Sequence, residues 1–238
     1  ITWLEIWGED VWGKLGIIGK IGKYVERLSF RLTNKNILFM STKSNKLNGE
    51  TRIIPLGIDL EKIKKIKPSK EKFDVLFVGR LIKEKNVDLL IKSIKESDLK
   101  LGIIGNGPEK ENLKKLAKSL KIKNIKFFDF FEKDEEMYSY MKSSKLFVLP
   151  SEREGFGVVI LEALIAGCKV ITTNNKQNNA KRLVDKIFIC KPTVKSLRSK
   201  IKYGLNSTYS NKINLKNYDI NLIAKEIENY YLGCINEK

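Results

Sequence analysis

From Asp74 onward, short apolar runs rich in β-branched residues alternate with stretches whose apolar positions recur at helical spacing. VLFVG (75–79) precedes a predicted helix over 87–94, LGIIG (101–105) one over 108–120, and IKFF (125–128) one near 135–141. LFVLP (146–150) then leads to a helix over 158–166, KVITT (169–173) to one near 180–184, and IFIC (187–190) to helices near 194–205 and 220–232. Near-continuous apolar strands alternating with helices predict a parallel sheet covered on both faces, the doubly wound α/β architecture. Ligands of such sheets lie beyond the carboxyl ends of the strands, so chemistry is expected in the segments after Gly79, Gly105, Phe128 and Pro150.

The first fifty residues read differently. They predict a loop bearing Trp3, Trp7 and Trp12, a helix over 17–32, one clear strand (NILFMST) and a short polar helix. One strand does not make a sheet, so the segment is expected to be the closing part of a domain that begins elsewhere, its tryptophans exposed in the isolated chain. The boundary falls near 52–55, where IIPLGID enters the complete domain. The expected organisation is 1–52 as the incomplete tail of one domain, 53–215 as a complete second domain, and 216–238 as a closing helix.

Composition narrows the chemistry. The 238 residues are 42% hydrophobic with 5 Pro and 16 Gly, which excludes a disordered or collagenous chain. There is no histidine, and the three cysteines, Cys168, Cys190 and Cys234, share no CxxC spacing. Zinc fingers, His metal sites, Ser-His-Asp triads and Cys-His dyads are excluded together, and the cysteines read as reduced core residues of a cytosolic protein. No apolar run reaches the ~20 residues of a membrane span. The balance of 46 Lys and Arg against 28 Asp and Glu gives +18, which admits a phosphorylated substrate, an anionic membrane surface or nucleic acid. Lysines spread along the polar faces of helices account for much of that excess without any partner.

Three constellations carry chemistry. PSEREGFGVVILEALIAG (150–167) follows a strand, turns on Gly155 and Gly157 around Phe156, and opens a helix at Val158 whose first N–H groups form an anion site. Glu154 stands before that helix and Glu162 inside it. Ionised carboxylates only accept hydrogen bonds, which suits them to sugar hydroxyls. The plainer alternatives are a helix-start carboxylate interacting with the dipole and a polar-face glutamate, although Ile160, Leu161, Ala163 and Leu164 surround Glu162 with apolar neighbours. VGRLIKEKN (78–86) places Gly79 and Arg80 directly after a strand and Lys85 five residues on, a guanidinium fork and a point charge for a diphosphate, or else two surface cations. GIIGNGPEKENL places Gly105 and Gly107 after the next strand with Pro108 at a helix start; its GxxGxG spacing departs from the dinucleotide fingerprint and by itself is a strand-to-helix turn. GIIGKIGKY (16–24) lacks the residues of a P-loop, and the aromatic-basic run IKFFDFFEK reads as a strand and its loop rather than a base-stacking platform.

In that order, IIPLGID, VGRLIKEKN, IIGNGPE, IKFFDFF and LFVLPSEREGFGVVILEALIAGCKVITT resemble the C-terminal half of family-four retaining glycosyltransferases with the GT-B fold, over about residues 52–232. The opening resembles the late N-terminal domain of archaeal-type members, and YDINLIAKEIENYY their C-terminal helix crossing back to the first domain. The resemblance implies a GT-B protein with a Rossmann-like donor domain, complete here, and an incomplete Rossmann-like N-terminal domain. It implies Arg80 and Lys85 on the donor diphosphate, Glu162 on the ribose, Glu154 on the transferred sugar, and the amides of Gly155, Phe156, Gly157 and Val158 on sugar and phosphate. Phe130 and Phe131 would frame the nucleobase, with Gly79, Gly105 and Gly107 lining the pocket. It further implies transfer to a glycan or lipid acceptor with retained configuration, a donor phosphate oxygen taking the acceptor's proton, no metal and no other cofactor. The setting would be cytoplasmic, with peripheral contact on the inner membrane face, and nucleic acid is not an expected partner. Leu56, Arg182 and Leu4 depart from the family pattern, where Asn, Glu and His are usual. Two other readings compete: a nucleotide-binding module without catalysis, and a binder of anionic surfaces.

Overall fold

The computed structural model of the protein describes residues 2–4, 12–13, 15–32, 35–38, 50–209 and 212–236. The chain divides into two compact units, Ile1–Gly57 with Asn217–Lys238, and Ile58–Lys216.

In the first unit, β1 (Thr2–Leu4), β2 (Lys35–Leu38) and β3 (Glu50–Ile53) form a parallel sheet in that order, with α1 (Gly16–Arg31) between β1 and β2 in sequence. This corrects the expectation of a single strand. β1 is three residues long, and β3 spells ETRI with Glu50, Arg52 and Ile53 exposed, so neither carries the apolar alternation that reveals a strand. Trp7 and the expected polar helix after NILFMST lie outside the described residues. Trp12 is half-buried rather than exposed: its Nε1 donates to Glu26 at 3.0 Å, and its ring covers Gly22 so closely that a Cβ there would stand 2.1 Å away.

The second unit begins with α2 (Leu60–Lys65), a short helix not predicted from the sequence, capped by the Asp59 carboxylate accepting from the Lys62 N–H at 2.8 Å. Six parallel strands follow: β4 (Phe73–Val78), β5 (Leu101–Ile104), β6 (Ile125–Phe128), β7 (Ser144–Leu149), β8 (Lys169–Thr173) and β9 (Ile189–Cys190), in the spatial order β6-β5-β4-β7-β8-β9. The helices are α3 (Val87–Ser93), α4 (Lys110–Ser119), α5 (Asp134–Lys142), α6 (Val158–Ile165) and α7 (Val194–Asn206). Val75, Leu76, Phe77, Leu146, Phe147, Val148, Val170 and Ile171 are fully buried, each stabilising the fold by roughly 1.5–3 kcal/mol. Two expectations need correction. IFIC is a strand only at Ile189–Cys190, because Phe188 N–H bonds Asp185 C=O and tightens Lys186–Phe188 into a 3₁₀ turn. The helix near 180–184 is likewise a 3₁₀ helix, Asn179–Leu183.

Finally α8 (Ile220–Asn236) packs Ile223 and Tyr230 against Ile37 of β2 and Ile54, with Arg52 over the Tyr230 ring at 5.4 Å.

Candidate active site

Read along the chain, the second unit's strands run 3-2-1-4-5-6 across its sheet, and that order reverses between the first and fourth strands, β4 and β7. A crevice opens beyond their carboxyl ends at such a switch point. The loops after these two strands are tied across it. Asn86, in the left-handed conformation (φ 50°), donates its amide to Pro150 C=O at 3.3 Å, and Glu152 N–H bonds Glu84 C=O at 2.8 Å. Between these ties the Lys85 ammonium meets the Glu154 carboxylate at 2.6 Å, with side chains 16% and 10% exposed. A charge pair so nearly removed from water is held only where both partners are fixed.

The loop after β8 fixes Glu154 from the other side. Glu154 N–H bonds Gln177 C=O and Asn179 N–H bonds Glu154 C=O, a single parallel bridge beyond the sheet. That bridge hangs from the wholly buried Asn178, whose amide donates to Thr172 Oγ1 at 2.9 Å and Thr173 C=O at 3.0 Å. Thr173 in turn donates to Ser151 C=O. None of these anchors was singled out in the sequence, because buried threonines and asparagines look like ordinary strand-end and turn residues.

Gly157 opens α6 with φ +82°, and a Cβ there would stand 2.3 Å from Ala180 Cβ, so only glycine fits. α6 has no acidic residue in its first turn, leaving its first N–H groups and the positive end of its dipole to an anion. Gly155 is exposed, and Phe156 and Val158 are half-buried beside it. Arg80 is exposed and makes no ion pair among the described residues. The loops after β4 and β5 pack backbone on backbone: a Cβ at Gly105 would lie 2.0 Å from Gly79 O, one at Gly107 2.5 Å from Leu81 O, and Leu81 N–H bonds Asn106 C=O. Pro108 sits in a turn two residues before α4 rather than at its first position.

Glu162 lies inside α6. Its Oε1 accepts from Tyr138 Oη of α5 at 2.8 Å. Burial pushes its carboxyl above the usual carboxylate range, the Tyr138 hydrogen bond pulls the other way, and the charge of Asp134 adds to the rise. Glu162 is thus partnered by Tyr138 and Glu154 by Lys85, so the two carboxylates of the motif have different partners. After β6, Phe131 stacks on Tyr140 (5.4 Å, 7° between planes) and lies beside Phe128, whereas Phe130 is 49% exposed. Of the two, Phe130 presents a ring to solvent. Among the atypical positions, Leu56 is half-buried, Arg182 is exposed on the 3₁₀ helix, and Leu4 is in β1. Among the described residues no three His, Cys, Asp or Glu side chains gather as a metal site.

The family model of glycosyl transferases group 1 matches residues 59–220, more than half of the chain and nearly all of the second unit. The chain belongs to that family. Its α/β architecture is that of GT-B glycosyltransferases. A Campylobacter jejuni N-acetylgalactosamine-N,N'-diacetylbacillosaminyl-diphospho-undecaprenol 4-alpha-N-acetylgalactosaminyltransferase is 33% identical over 69% of this chain and 47% of its own length. Sucrose-phosphate synthase from Thermosynechococcus elongatus superposes with a TM-score of 0.76 at 18% identity, over 92% of this chain and 63% of that one. Anabaena HepE, solved with UDP and glucose, gives 0.71 at 18% identity over 89% and 69%. At such identities these two report the fold. Against the curated relatives it matches, this group 1 chain spans between 27% and 47% of their length.

Proposed function

We propose that this group 1 chain binds a nucleoside diphosphate sugar beyond β4 and β7 and serves as the donor half of a retaining glycosyltransferase acting on a glycan or lipid acceptor. The observation that carries the reading is the meeting of Lys85 and Glu154, 69 residues apart in sequence, at 2.6 Å over the switch point of the sheet. Arg80 and the first turn of α6 take the diphosphate, and Lys85 bridges phosphate and Glu154. Glu154 accepts from hydroxyls of the sugar, and Glu162 from the ribose. Phe130 and residues 105–108 border the nucleobase, a role the stacked Phe131 supports from behind. Retention then needs only same-face attack, with a donor phosphate oxygen as the proton acceptor, and the reading includes no metal.

Calorimetric titration with UDP, GDP, ADP and CDP is expected to show binding by at least one. Arg80→Ala should weaken it by the worth of a charge-assisted contact, roughly 1.5–3 kcal/mol. Glu154→Gln should weaken the intact sugar donor far more than the bare nucleotide. Absence of heat with all four nucleotides, or equal losses for donor and nucleotide on Glu154→Gln, overturns the assignment.

Peripheral contact with an anionic membrane is a second element of the reading, favoured by α1. Ile17, Ile21, Tyr24, Val25 and Leu28 form an exposed apolar stripe along this helix, with Lys20, Lys23 and Arg27 on the same helix. No helix among the described residues is long and apolar enough to cross a membrane. Sugar transfer itself we assign to the longer assembly in which an acceptor site faces this donor site.

A further inference from the structure

We propose that Tyr138 is a positioning residue that fixes Glu162 for ribose recognition, an inference that rests on the ribose role given to Glu162 above. Tyr138 lies on α5, 24 residues before Glu162, and is 7% exposed. Its hydroxyl has one proton to give and gives it to Glu162 Oε1 at 2.8 Å. A buried phenol beside a carboxylate is the harder of the two to ionise: burial and the Glu162 charge both hold the Tyr138 proton on. The donor is therefore constant across the pH range in which Glu162 titrates.

This bond has two consequences for a diol ligand. It occupies one of the carboxylate's acceptor positions and restrains its rotation, leaving Oε2 and the second lone pair of Oε1 to hydroxyl donors. It also opposes the burial that favours the neutral acid, and a protonated Glu162 would lose acceptor capacity. The other charged groups around the pair are Asp134 and Glu135 of α5, and Lys62 of α2, which pairs with Glu135 at 3.0 Å and reaches Asp134 at 4.0 Å. Asp134 disfavours ionisation of Glu162, so the Tyr138 hydroxyl is the stabilising contact the structure gives this carboxylate. The same helix follows the 129–133 loop that carries Phe130, so the register of α5 sets both the nucleobase border and the ribose acceptor.

The test uses whichever of UDP, GDP, ADP and CDP binds, together with its 2′,3′-dideoxy counterpart. In the unaltered protein the ribose form should bind better, and Glu162→Gln should reduce that preference about tenfold. Tyr138→Phe should reduce it several-fold while leaving dideoxy binding unchanged, and should have no further effect in the Glu162→Gln background. In parallel, a ¹³C carboxyl titration should show the Glu162 midpoint rising in Tyr138→Phe. Site-specific replacement of Tyr138 by 3-fluorotyrosine, a stronger donor of nearly the same size, should lower the midpoint and guards against loss of folding in the phenylalanine variant. If Glu162→Gln leaves the ribose preference intact, the ribose role fails and takes this inference with it. If Glu162→Gln removes the preference but Tyr138→Phe retains it, weakens both ligands alike, or leaves the midpoint unmoved, the inference alone is overturned.

Discussion

A carboxyl group accepts hydrogen bonds from a diol best when it is ionised, and Glu162 is buried where ionisation is disfavoured. That conflict has a measurable signature in stability. With its folded pKa above the reference value of 4.5, the folded state holds a proton that the unfolded state has already released. The contribution of Glu162 is thus greatest at low pH and is lost as pH rises from about 4.5 through the folded pKa, at up to about 1.4 kcal/mol per pH unit. Asp74 acts oppositely: burial works against it, but the Lys100 N–H and the Lys145 ammonium hold its carboxyl low, so its contribution is lost on acidification. The difference between the unaltered protein and Glu162→Gln isolates the first group. Urea unfolding between pH 4 and 8 should show that difference shifting against the unaltered protein as pH rises; a flat difference would contradict the assigned burial effect. The motif made Glu154 and Glu162 visible, since both lie in one contiguous stretch around the loop. Tyr138 and Asn178 were not visible, because their roles come from contacts that only the fold creates.

Elements were legible where burial is complete and obscure where it is not. β4, β5, β7 and β8 are apolar on both faces because helices cover both, so their runs stand out from sequence alone. β3, with three of its four residues exposed, offers no such run. α1 was placed to within a residue, yet which of its faces is exposed came only from the structure. Ile17 is 78% exposed and Ile21 61%, an arrangement contrary to that of a helix packed on its own core. Cationic side chains beside such a stripe suit an anionic lipid surface, each contributing about 1 kcal/mol near it. The protein is expected to co-sediment with vesicles of phosphatidylglycerol and phosphatidylcholine, less so in high salt, and weakly with phosphatidylcholine alone. Ile21→Asp combined with Val25→Asp should abolish the association. Retention by that double variant would show that the charge of the whole chain, rather than α1, drives it.

At the scale of the molecule, the sequence indicated a parallel sheet but not the order of its strands, and the order is what joins the chemistry. Sequential placement would have separated the loops after β4 and β7; the reversal brings Lys85 and Glu154 into contact. The residues proposed to bind the donor all lie within the unit Ile58–Lys216. Transfer asks for more, because donor and acceptor must be held in alignment, and effective molarities from such alignment are worth up to about 7–11 kcal/mol of the barrier. The family match runs over residues 59–220, and the chain spans 27% to 47% of the length of the curated relatives it matches. The 238 residues are therefore expected to bind the nucleotide and the sugar donor in calorimetry but to transfer no sugar. The same residues within a longer protein carrying an acceptor domain should do both, with Arg80→Ala and Glu154→Gln depressing turnover there. Robust transfer by the 238 residues at the rate of the longer protein would place the acceptor site within this chain and refute the division of labour.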